Sequence, residues 1–283
     1  GPQPNIIGAA DRMVTASDIE FEPPQSKLFG FTRGIVGLVA GDTTAQISIC
    51  QNTFSAVNQQ KLTTVRQVAE EFGRQHAYYR LQQSERELLH PLGLELSNFV
   101  SQLNTSSPDL LASLVRELRG YELGADTIIA GIDHNGAHLY VVTNPGIVKC
   151  FNAIGFAVVG GGYWHAASQF MFSRYQRSWP LDRALLLAFS AKRRAEVAPG
   201  VGPETDMVYI TSAPDPTFTQ FGGNHPLIKK LEDIYQEGRK QHDAISEDSY
   251  KNMEAWVRSL AQEQQKQQQE QDKQDDKKKD VDK

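Results

Sequence analysis

Apolar residues along this chain follow two rhythms. Near the N-terminus, NIIGAADRMV and GIVGLVAG are short, branched, apolar runs broken by glycine, the composition of strands buried on one or both faces. From Leu62 the spacing changes. Leu62, Val65, Val68, Ala69 and Phe72 recur at intervals of three and four, which predicts one face of a helix, with Thr63 or Thr64 placed to cap it. AYYRLQQSERELL carries that helix to Pro91. A second helix is expected from Ser107, with Pro108 at its first position and Leu110, Leu111, Leu114, Val115 and Leu118 on one face.

The middle of the chain returns to strands. DTIIAGIDHNGAHLYVVTNPGIVKCFNAIGFAVVGGG holds apolar runs joined at Asn135-Gly136, a pair suited to the positive φ angles of a tight hairpin. Asn144-Pro145-Gly146 marks a further turn, and the glycines 160–162 close the last of these strands. Helices over about 164–175 and 181–194 follow, then the strand DMVYITS. Strands, two helices, strands, two helices and a strand fit sheets packed on each other with helices on the outer faces.

Past about Pro226 the pattern is polar. HPLIKKLEDIYQEGRK and SYKNMEAWVRSLAQEQ read as amphipathic helices, and the glutamine-rich, mixed-charge end reads as disordered, since it offers little surface to bury. The expected organisation is a domain over 1–224, a helical extension over 225–262 and a disordered tail over 263–283. With 40% hydrophobic residues among 283 and a net charge of -5, the chain has ample core material and no basic face for nucleic acid. No apolar run is long enough to span a bilayer. Cys50 and Cys150 stand far apart without CxxC spacing and are expected to be two buried free thiols.

Candidate chemistry begins at ADRMVTASDIEFEPPQSK, where a strand runs into Asp11-Arg12 and a lone lysine, Lys27, returns sixteen residues after Asp11. Taken alone, Lys27 reads as a solvated loop residue, Asp11-Arg12 as a surface ion pair, and Gly41-Asp42 as a strand-to-helix turn capped by Asp42 or Thr43. His134 and His138 flank a turn and share no helical face, so zinc ligation is not expected. The aromatic group Tyr163, Trp164, Phe170, Phe172 and Tyr175 reads as helix packing or a subunit contact.

The run IIGAADRMVT…K-LF…GIVGLVAGDTTAQ, followed by IIAGIDHNGAHLYVVTNPG and AVVGGG, resembles the proteasome β-subunit family and its bacterial relatives over about residues 6–212. The resemblance implies an α+β fold, the four-layer αββα sandwich of two mainly antiparallel sheets found in N-terminal-nucleophile hydrolases. It also implies a threonine-type peptidase acting on peptides or unfolded proteins in a homo-oligomeric ring, in the cytoplasm, without cofactor, metal, nucleic acid or membrane; whether a regulatory ATPase feeds it is open. In that family an N-terminal threonine is the nucleophile and its own amine the base. Lys27 matches the catalytic lysine, Asp11 its carboxylate partner, and Gly41 the glycine whose N–H holds the oxyanion. By family spacing the threonine and the first strand fall a few residues upstream of Gly1, so the polypeptide as written is expected to be inert. The supporting shell also departs: Gly161 stands where many members have serine, Glu196 matches the family's Asp only loosely, and the serine ahead of the final strand has no counterpart. Two other readings stay open, a non-catalytic ring or scaffold subunit and an amidohydrolase of the same fold acting on a small substrate.

Overall fold

A computed structural model describes residues 4–16, 19–102, 108–212 and 215–281; Ser107, the expected start of one helix, lies outside them. The chain divides into two compact units, 1–229 and 230–283. The first is a mixed α/β body with antiparallel sheets, and the second continues a C-terminal helix.

Five strands form one antiparallel sheet in the order β4 (Leu28–Thr32), β5 (Ile35–Gly41), β6 (Ala125–Asp133), β7 (Gly136–Thr143), β8 (Ile147–Cys150). The β6–β7 hairpin closes where the sequence indicates, with Asp133 opposite Gly136 and Gly136 at φ +114. A second sheet sets β1 (Asn5–Ala10) and β10 (Thr217–Phe221) on either side of β9 (Asp206–Thr211), and β2 (Val14–Ala16) pairs with β3 (Ile19–Phe21) as a ribbon.

Period-two alternation decides which side chains meet. Ile35 and Ile129 turn to helices α1 (Thr43–Gln60) and α2 (Val65–Ser84), where Ile49, Val57, Val68 and Phe72 complete a core cluster. Val36, Leu38, Ile128, Ala130 and Ile132 turn the other way and meet Ile6, Val208 and Ile210 of the three-stranded sheet. Both faces of the five-stranded sheet are therefore buried, which is why its strands read as unbroken apolar runs. Helices α5 (Tyr163–Phe172) and α6 (Leu181–Ala195) pack together through Ala166, Ala191 and Ala195, and α6 also lies against β1. Between the two helical pairs, α3 (Leu96–Gln102) and α4 (Pro108–Gly120) form a satellite cluster on Leu89, Phe99 and Leu114.

Thr64 caps α2 in a reciprocal box with Gln67, and Asp133 Oδ2 adds a second acceptor, taking the Val65 N–H at 2.8 Å. Helix α1 is absent from the periodicity reading because its buried stripe includes polar Gln46 and Thr53, while apolar Ile47 and Phe54 lie exposed. AVV before the glycines joins no ladder among the described residues, and Ala157 and Val159 pack on the cluster between the sheets. The C-terminal segments form one helix, α7 (Pro226–Val281), in place of two helices and a disordered tail. Glutamine, glutamate and lysine are good helix formers, and no glycine or proline interrupts them after Gly238. Cys50 is buried, its thiol pushed up to about 12 by burial, but Cys150 at the end of edge strand β8 is exposed. Among the described residues no helix is long and apolar enough to cross a membrane.

Candidate active site

Strand β1 ends at Ala10, and the next residue, Asp11, turns its carboxylate back on the chain. Asp11 Oδ1 accepts the Met13 N–H at 2.7 Å, a local turn that fixes the side chain before any distant partner arrives. Lys27 supplies that partner: its Nζ donates to the same Oδ1 at 2.7 Å. Lys27 is itself in register, because its carbonyl accepts the Val39 N–H at 3.0 Å just ahead of the Leu28–Leu38 pair. The two side chains are 20% and 17% exposed, sheltered enough for the pair to be ordered and open enough for a ligand to reach it. Arg12 does not pair with Asp11. Its guanidinium grips Asp206 of β9, Nε to Oδ2 at 3.0 Å and Nη2 to Oδ1 at 2.5 Å, and that hydrogen bond raises the Arg12 pKa. Asp206 is fully buried, so this clamp holds the end of β1 and with it Asp11.

Gly41 is the last residue of β5, at φ +100, and a Cβ there would lie 1.7 Å from the Gly124 carbonyl oxygen. Only glycine fits. Val39 and Gly41 are two apart, so their N–H groups leave the strand on the same edge. Val39 uses its own on Lys27, and Gly41 continues that edge beyond the start of β4. Buried Gln46, in the first turn of α1, fastens this strand end by donating to Ala40 O at 2.8 Å and to Asp126 O at 3.2 Å. Asp42 caps α1 through the Ala45 N–H at 2.7 Å. The capping role and the glycine turn are thus both present at adjacent residues.

A cavity of about 1600 Å³ opens over these groups, and Asp11, Lys27, Gly41, Gly161, Lys192 and Gly200 are among its lining. Gly160, at φ +95, would bring a Cβ within 3.0 Å of Ala40, so the glycine turn lies beside the end of β5. Glu196 behaves differently. Its carboxylate takes partners from its own helix, Lys192 Nζ at 2.8 Å and Arg193 Nη1 at 2.9 Å, and it is not part of the lining. The structure therefore unites Asp11, Lys27, Gly41 and Gly161 around one space and sets Glu196 behind Lys192.

Sequence reasoning passed over Lys192, Gln46 and the Arg12–Asp206 clamp. A lysine four residues before Glu196 on an otherwise apolar face was the visible signal for the first. The two histidines are engaged separately: His138 Nε2 lies 3.4 Å from Asp133 and His134 contacts Asn135. No group of three or more metal-ligating side chains occurs among the described residues. Compared with protein-family models and with curated proteins, the chain gives no match.

Proposed function

We propose that this chain is the body of a threonine-type N-terminal-nucleophile hydrolase, proteasome β-like, cleaving peptide or other amide bonds in a cytoplasmic ring of like subunits. The observation that carries the reading is the 2.7 Å contact between Lys27 Nζ and Asp11 Oδ1 at the rim of a large cavity. Two sheets packed face to face, with α1 and α2 on one outer side and α6 on the other, support a four-layer αββα arrangement.

The nucleophile comes from residues upstream of Gly1. Strand β1 pairs with β9 along one edge, its other edge has no partner among the described residues, and β1 residues line the cavity. A preceding strand hairpinned onto that edge runs antiparallel to β1, so it starts where β1 ends, beside Asp11. Its terminal threonine hydroxyl attacks the carbonyl carbon while its amine takes the proton. Lys27 lowers the pKa of both groups, Asp11 orients Lys27, and the Gly41 N–H receives the oxyanion. Water then clears the acyl-enzyme. With glycine at 161 and Glu196 turned to its own helix, no side-chain relay from that side takes part.

The test is to express the chain from its encoded start and treat it with a peptide epoxyketone. A covalent adduct on an N-terminal threonine is expected; a chain that has the threonine exposed and never labels overturns the reading. The same result would favour the non-catalytic scaffold, for which the diversion of Glu196 is the supporting observation.

A further inference from the structure

Lys192 sits on α6 with its side chain 5% exposed. It donates three hydrogen bonds of 2.8 Å each, to Glu196 Oε1, Gly202 O and Pro203 O. An ammonium has three protons, and all three are used. The acceptors Gly202 and Pro203 belong to a loop over 199–204 that joins no ladder and whose apolar anchor is Val201, packed on the Ala166, Ala191 and Ala195 cluster. From its other side the loop is gripped by the ribbon: Glu20 Oε1 accepts the Gly200 N–H at 3.0 Å, and Glu22 Oε1 accepts the Glu204 N–H at 3.1 Å. Pro199, Gly200 and Val201 line the cavity.

We propose that Lys192 is a positioning residue of the site: it anchors the 199–204 loop from inside the protein and so fixes the wall of the cavity that Asp11 and Lys27 also line. The inference rests on reading Asp11 and Lys27 as the catalytic pair. In this chain a buried cation and two backbone carbonyls hold that wall. The electrostatics agree with the geometry. Burial lowers the Lys192 pKa, Glu196 and Asp11 draw it back up, and Arg193 opposes them. Lys192 and Asp11 line the same cavity, which is the geometric link between the strut and the site.

Two measurements decide this without turnover. In Lys192→Met, amide hydrogen exchange at residues 200–205 is expected to accelerate at least tenfold while β6 and β7 amides keep their rates; unchanged exchange in the loop overturns the proposal. In the folded parent chain, the Lys192 Cε resonance is titrated by NMR and compared with Asp11→Asn, which leaves the loop contacts intact. The Lys192 midpoint is expected to fall when the carboxylate is removed, and an identical midpoint breaks the link to the site even where Lys192→Met fails to fold. In the chain extended upstream, Lys192→Met is expected to raise the epoxyketone concentration for half-maximal labelling about tenfold, more than it lowers the maximal rate. A parent chain that never labels counts against the catalytic reading alone, since exchange and NMR still judge Lys192.

Discussion

Lys27 and Lys192 line the same cavity and are held in opposite ways. Lys27 is partly exposed and gives one proton to Asp11; its other two have no protein acceptor among the described residues. Lys192 is buried and gives all three away. An ammonium with unspent donors at a cavity rim projects its charge onto whatever enters. One whose donors are saturated acts as a strut, and removing it disturbs the loop it braces before any chemistry. The same residue type thus serves reaction in one place and architecture in the other, and solvent access together with acceptor count separates the two.

The sharpest way to break this contrast is Lys27→Met in the upstream-extended chain. Epoxyketone labelling is expected to fall about 10²–10⁴-fold, the usual scale for losing an acid–base group. Stability in urea is expected to change by no more than about 1 kcal/mol, because the pair with Asp11 is partly solvated. A large stability loss with labelling intact would make Lys27 the strut. Next in size is Asp206→Ala. Asp206 is fully buried, whereas Arg12 is 22% exposed and also feels Glu204 and Glu22, so the expected cost is that of lost charged hydrogen bonds, about 1.5–3 kcal/mol. Urea unfolding with an unchanged slope measures it. A loss under about 1 kcal/mol would mean the clamp does not hold β1, and Asp11 would owe its position to its own turn with Met13 alone.

These residues also mark where the sequence was legible. Strands β5, β6 and β7 announce themselves because both faces of the larger sheet are buried, and β1 because it lies between that sheet and α6, so apolar runs survive unbroken. Asp11 and Lys27 could be paired across sixteen residues only through a resemblance, since no periodicity links a turn to the start of a strand. The Arg12–Asp206 clamp spans 194 positions, and nothing local to either residue reports the other. Lys192 hides for a different reason. Only its contact with Glu196, four residues on, follows from spacing; its other two acceptors are the backbone carbonyls of Gly202 and Pro203, and a carbonyl is common to every residue type, so sequence carries no trace of which ones a lysine finds. The continuity of α7 is not legible from burial, because its polar end offers little surface to bury, while its glutamine, glutamate and lysine are good helix formers.

The smallest expected effect sharpens the contrast from the Lys192 side. Burial lowers the Lys192 pKa below 10.5 in the folded chain, while the unfolded chain returns it to that value. Between the two, the unfolded chain binds more protons, so stability rises with pH. The contribution is complete above the unfolded value and is lost as pH falls through the folded one. Neutral pH is therefore where the folded chain bears the desolvation of a charged strut, offset by Glu196 and the two carbonyls. Urea-derived stability of the parent minus that of Lys192→Met, followed from about pH 7 to about pH 11, is expected to climb in the window below 10.5 and then level off. Tyrosines titrate in the same range, but they are shared by both proteins and cancel in the difference. A flat difference would mean that the buried ammonium is as well solvated as an exposed one. Lys192 would then differ from Lys27 in its neighbours only, and burial would no longer distinguish the strut from the working charge.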